Sequence, residues 1–233
     1  TVSTGSSVRG GTGNAIENEL GDSTVTVQNR GRVDGAVALG DGVDTLAFEG
    51  GDFSGVTGFD GGEGDSDVLR FSGGASGTLD GGRVTGFEDI VFGDGSAVSV
   101  FDVLTAEVAV ESGGSLGAGS SPGTLVVDGV LNIAAGGILD FEIGGLLAGS
   151  EYDVIDVNGT AALADGVILK IAGYDSFTPA IGDSFDILVA DMIDGAPSDW
   201  VFDFQIGGSW DVAVVDAGAR EALRLTSSLP API

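Results

Sequence analysis

The chain has 233 residues, with 8 Lys plus Arg against 36 Asp plus Glu, no His and no Cys, for a formal net charge of −28. Without Cys or His it carries no disulfide framework, no Cys/His zinc site, no thiol nucleophile and no His-centred triad. A charge this far outside the roughly 2 to 8 units usual for a small domain repels phosphate backbones and anionic lipid heads, which argues against nucleic acid and against membrane insertion.

The composition is nevertheless that of a folded chain. Apolar residues make up 42%, enough for a sizeable core in one large domain or two small ones. The 43 glycines follow no three-residue period and Pro totals 5, so collagen is excluded. They punctuate alternating apolar segments, so a flexible linker is excluded as well. No basic leader with an apolar stretch behind it is present, and no apolar run reaches about 18 residues. The expectation is a processed, exported chain or an excised piece of a longer one. Zero Cys fits export without oxidative staples, and it fits the cytosol equally well.

In chain order, residues 1–14 (TVSTGSSVRGGTGN) read as polar and flexible, leaving the first structural unit without a lid. From residue 40 onward a degenerate repeat begins. Asp44-x-Leu46-x-Phe48 returns as Asp67-x-Leu69-x-Phe71, 23 residues later, and again more loosely as Asp89-Ile90-Val91-Phe92. VTGFD at 56–60 returns as VTGFE at 84–88. A period in the low twenties fits one coil of a parallel β-solenoid, with short strands joined by Gly-rich corners. Leu46, Leu69 and Ile90 would then stack as one inward row, and Phe48, Phe71 and Phe92 as another. Gly, Asn and Asp at the corners supply the φ > 0 positions. A β-sandwich is the competing arrangement.

Further along, Leu139, Phe141 and Ile143 alternate with Asp140 and Glu142, the period of a strand with one face buried. Phe185, Ile187 and Val189 share one side of the next, and Trp200, Phe202, Phe204 and Ile206 oppose Val201, Asp203 and Gln205. No window has a helical period. Strands at 184–190, 199–206, 209–215 and 222–226, with a hairpin at Gly207-Gly208-Ser209, read as an antiparallel lid over the open edge of the last coil. The fold expectation is all-β: a right-handed parallel β-helix (β-solenoid) over residues 1–173, with an antiparallel, aromatic-rich cap over 174–233. About ten coils at ~4.8 Å each give a rod on the order of 50 Å.

The runs GDGVDTLAF (40–48), GGEGDSDVLRF (61–71) and LDGGRVTGFEDIVF (79–92) resemble the coils of autotransporter-type passenger β-helices. GSSPGTLVVDGVLNI (119–133), YDVIDVNGTAAL (152–163) and FTPAIGDSFDIL (177–188) look like the C-terminal part of secreted bacterial β-helix and autotransporter-associated repeat proteins. Leu229-Pro230-Ala231-Pro232 is similar to the opening of a Pro-containing sorting signal on exosortase-processed surface proteins. The resemblance implies an exported bacterial surface or matrix protein, a scaffold or adhesin without catalysis.

Three chemistries compete for the carboxylates. Gly40-Asp41-Gly42-Val43-Asp44-x-Leu46 matches the core of a Ca²⁺-binding β-roll corner, and Gly61 to Leu69 with Asp65 and Asp67 nearly matches it, with one residue too many before the aspartate. The bland reading makes Asp41, Asp44, Asp60, Asp65 and Asp67 turn-formers that bond their own backbone, kept acidic for solubility. β-Rolls repeat every nine residues or so, whereas these corners stand 23 apart. A polysaccharide hydrolase needs only paired carboxylates, for which Asp44 with Asp67, or Asp140 with Asp156, are candidates. Surface aromatics are lacking, and an acidic-sugar lyase would draw on only Arg9, Arg30, Arg32, Arg70, Arg83, Lys170, Arg220 and Arg224. Asn158-Gly159-Thr160 fits a glycosylation sequon and, more simply, a corner turn. The last chemistry is self-assembly, because a solenoid with one plain end accepts another strand-bearing end. The partners expected are a second copy, or an extracellular surface or polysaccharide.

Overall fold

The computed structural model describes residues 1–3 and 6–229. Nearly all of its strands pair in parallel with strands roughly one coil away, and they fall on three faces that the chain visits in turn. On the first face, Thr24–Gln28, Thr45–Glu49, Val68–Ser72, Asp89–Phe92, Glu107–Val110 and Leu131–Ile133 succeed one another. The second halves of Val154–Leu163 and Ser184–Asp194 continue that face. The second face holds Ser76–Asp80, the start of Ala97–Leu104, Ser115–Ala118, Ile138–Ile143, Ile168–Gly173 and Val201–Phe204. The third begins with Ser7–Glu17, Arg32–Ala38, Val56–Asp60 and Val84–Thr85. It resumes with the end of Ala97–Leu104, then Thr124–Val127 and the first halves of Val154–Leu163 and Ser184–Asp194.

The registers make the expected rows. Val25, Leu46, Leu69, Ile90, Val108, Leu131, Ala161 and Ile193 lie one above another on eight successive coils of the first face. Beside them run Val27, Phe48, Phe71, Phe92, Val110, Ile133 and Leu163. Phe48 and Phe71 stack at 5.6 Å and 12°, and Phe71 and Phe92 at 5.7 Å and 9°. Such offset pairs add about 0.5–1.5 kcal/mol beyond the area they bury. The alternation that puts Leu139, Phe141 and Ile143 in the core leaves Asp140 and Glu142 outside.

Corners need glycine for two separate reasons. At one of them Gly136 has φ +76°; its N–H bonds the Gly166 carbonyl, and its own carbonyl accepts from Gly113 N–H. At another, Gly62 (φ +102°) passes so close to the coil before it that a Cβ would lie 1.8 Å from the Gly40 carbonyl oxygen.

The structure differs from the sequence reading at several points. Among the described residues eight strand rungs stand on the first face from Val25 to Ile193, with Val2 bridged to Val27 below them, rather than about ten coils; the eight set seven spacings or about 34 Å. The coil lengthens along the chain: neighbours in the first row are 21, 23, 21, 18 and 23 residues apart up to Leu131, then 30 and 32 for Leu131–Ala161 and Ala161–Ile193. Ser184–Asp194 and Val201–Phe204 belong to the parallel ladders, not to the lid, because Leu188 and Phe202 continue the rows of Ile155 and Leu169. A register shift between Asp186 and Leu188 then turns Val189 outward and puts Leu188 and Ala190 in the core. Residues 207–209 do not form a hairpin. The antiparallel pair is Ser209–Asp216 with Glu221–Leu229, closed by Ala217 N–H on the Arg220 carbonyl. Glu221–Leu229 also runs antiparallel to Ser184–Asp194, and this hairpin is the cap. Trp210 seats it, lying parallel to Phe204 at 5.5 Å and against Phe185 at 5.9 Å.

At the other end, residues 7–14 are strand rather than loose chain, and Val2 adds a bridge to Val27 with its side chain buried. Residues 230–233 lie outside the described residues, and with them the Pro-containing motif.

Phe71→Ala, which removes the middle ring of the stack, lowers stability by about 3–5 kcal/mol in chemical denaturation. Gly62→Ala, strained and blocked by backbone, costs more than Gly74→Ala, where φ is also positive but the space is open and the cost is about 1–2 kcal/mol.

Candidate functional site

Asp44 and Asp67 occupy equivalent corners of adjacent coils, and both are fully buried. Each carboxylate reaches back to the preceding coil. Ser23 N–H donates to Asp44 Oδ1 (2.5 Å), Asp44 N–H to Asp67 Oδ1 (2.6 Å), and Asp67 N–H to Glu88 Oε2 (2.7 Å). The second oxygens of Asp44 and Asp67 are buried without a hydrogen bond. Burial pushes the Asp67 carboxyl above the usual range, the Asp44 N–H opposes this, and the charges of Glu88, Asp44 and Asp65 add to it. Asp41 and Asp65 are exposed. The four carboxylates thus divide into an inner pair that ties coils together and an outer pair at the surface. Among the described residues no group of three or more Asp or Glu converges as a metal site. Asp60 accepts from Gly62 N–H, as a turn-former does.

The other carboxylate pair is separated by the architecture. Asp140, on the second face, holds Lys170 at 2.7 Å, whereas Asp156, on the third, holds Arg220 at 2.6 Å. Arg9, Arg32, Arg70, Arg83 and Arg224 are also in ion pairs. Among the described residues Arg30 is the one cation outside such a pair. Asn158 is exposed at a corner where Gly159 approaches the Gly129 carbonyl.

One corner stands apart. The longer coils insert their extra residues between the second and third faces, at 144–153 and 174–183, beyond the shorter 119–123 turn. The 144–153 loop is built around Glu151. Its Oε2 accepts from Leu146 N–H (2.8 Å) and Leu147 N–H (3.1 Å), its N–H donates to the Leu147 carbonyl (2.7 Å), and its carbonyl accepts from Gly144 N–H. Leu146 and Leu147 are thereby held outward, 53% and 62% exposed. Tyr174 packs on Gly144 and is also exposed, as is Ile181 in the next loop. Beneath them Tyr152 and Phe177 meet Phe185 edge-on, at 5.3 and 6.4 Å, anchoring the loops to the core.

At the root of this corner lies Asp153, nearly fully buried. It accepts from Gly123 N–H (2.7 Å) and Glu142 N–H (2.8 Å), clamping the 119–123 turn to the strand Ile138–Ile143. Burial pushes its carboxyl up to about 7; the two N–H groups oppose that rise, and the charges of Glu142 and Asp140 add to it. A small polar cavity of about 120 Å³ opens beside it, lined by Ser99, Ser121, Asp140, Glu142 and Lys170 among others. The sequence reading missed this corner. Its signal was the uncharged run Gly144-Gly145-Leu146-Leu147-Ala148-Gly149 in an otherwise acidic chain.

No protein family and no curated protein matches the chain. Among the described residues no helix is long and apolar enough to cross a membrane.

The raised pKa of Asp153 carries a sign. The folded state holds its proton up to about pH 7 and the unfolded state only to about 3.8, so this group's contribution is present below the lower value and lost as pH rises through the window. Denaturation of the wild type against Asp153→Ala tests this. The variant is less stable throughout, and the stability difference shrinks between pH 4 and 7, by at most about 1.4 kcal/mol per pH unit.

Proposed function

We propose that the chain is a non-enzymatic structural or adhesive β-solenoid acting at the outside of a bacterial cell or in its matrix, and that it associates with further copies of itself. The observation that carries this reading is the loop corner. Against a net charge of −28, the fold holds an uncharged run, residues 144–150, pinned by the Glu151 carboxylate, with Leu146 and Leu147 projecting into solvent. Fixed apolar side chains on an otherwise acidic surface are the composition of a contact site. The non-catalytic part is supported by how the singled-out carboxylates are used: Asp44, Asp67 and Asp153 accept backbone N–H groups, and Asp140 and Asp156 hold cations. The extracellular setting rests on the sequence resemblance.

Mutual repulsion of such acidic copies falls as salt shortens the Debye length from about 10 Å at 0.1 M to about 3 Å at 1 M. Sedimentation velocity at both ionic strengths is the test. The wild type forms larger species at high salt, and Leu146→Ser/Leu147→Ser remains monomeric at the same concentration. A wild type that stays monomeric at both strengths overturns self-association.

A further inference from the structure

A second surface feature lies on a different side of the rod and goes beyond self-association. On the outward side of the first face, Ala109, Asn132 and Ala162 share one register row across three coils, and Ala134 and Ala164 flank it. Side chains this short leave an open trough of about 490 Å³. Glu111, held by Arg70, also lines the trough. Asp165 and Asp194 stand on its rim; both are exposed, and neither has an ion pair or side-chain hydrogen bond among the described residues.

We propose that this trough binds a basic peptide segment of a partner protein, with Arg or Lys side chains laid across the alanine floor. The chemistry of both parts selects that occupant. Arginine and lysine bury an aliphatic stem on apolar surface while keeping the charged head at its edge, which matches an alanine floor beneath a carboxylate rim. Among the described residues every Lys and Arg except Arg30 already sits in an ion pair with another carboxylate, so the chain itself has little free cation to lay there. An acidic partner, including a second copy, meets like charge at Asp165 and Asp194.

Fluorescence anisotropy with a short labelled peptide alternating arginine with glycine tests the site in 0.15 M salt. The same peptide with citrulline in place of arginine has nearly the same shape without charge. The arginine peptide binds and the citrulline peptide does not. Asp165→Asn/Asp194→Asn weakens binding about tenfold or more, while Asp175→Asn/Asp211→Asn, which removes equal charge elsewhere, changes it less than about twofold. Thermal melts of both doubles confirm that they fold. Equal losses in the two doubles mean attraction by the overall field alone and overturn the site, as does absence of binding to the wild type. Neither outcome bears on the sedimentation result, so the two readings fail separately.

Discussion

The inter-coil backbone hydrogen bond is the interaction on which the remainder depends. Each strand on the first face exchanges bonds with the coil before and the coil after, so a residue's neighbours are fixed by what stands one turn away. That constraint explains why Phe48, Phe71 and Phe92 must share one position. It also explains why Gly62 cannot carry a Cβ and why buried carboxylates at Asp44 and Asp67 are tolerated. In the last case the coil turns a corner with N–H groups pointing inward, and only a side-chain oxygen from the next coil reaches them. An aspartate there acts as a rivet between turns, at the cost of one buried oxygen without a partner.

The same constraint distributes the charge. With the inward side chains devoted to apolar rows, nearly every other carboxylate faces water, where repulsion is weakened by high dielectric and salt. Cations are so few that they act locally: Arg224 joins Asp186 across the cap, and Arg220 holds Asp156 and Asp191. Partly exposed pairs of this kind are worth about 0–1 kcal/mol each, so they orient strands more than they stabilise the rod.

The first half of the fold was legible because its period is short and its rows are chemically alike. Leu46 above Leu69, and Phe48 above Phe71, repeat both spacing and residue type. The second half was harder for a physical reason. Once 30 or more residues separate partners, Ala161 stands above Leu131 and Ile193 above Ala161, and no string of letters repeats. The strands from 184 to 204 were therefore read by their aromatics as a lid, although they continue the ladders. A shift of one residue at Asp186–Leu188 is likewise invisible in alternation alone. Of the residues described at the corners, Asp44 and Asp67 were singled out by their spacing, as candidate calcium ligands or turn-formers rather than as the inter-coil ties they make. Leu146, Leu147 and Asp153 were not, since no repeat marks them and only three-dimensional stacking shows that two insertions share a corner.

The cap has a bearing on biogenesis. Glu221–Leu229 lies at the far end of the described chain, yet it covers the edge of Ser184–Asp194, and Trp210 covers Phe185 and Phe204. During vectorial synthesis each coil finds its pairing partner in the one before it, while the leading edge stays open until the hairpin emerges. A chain stalled before residue 209 would present unpaired strand edges and bare aromatic rings to its surroundings, so emergence of this hairpin and protection from aggregation are the same event for this molecule.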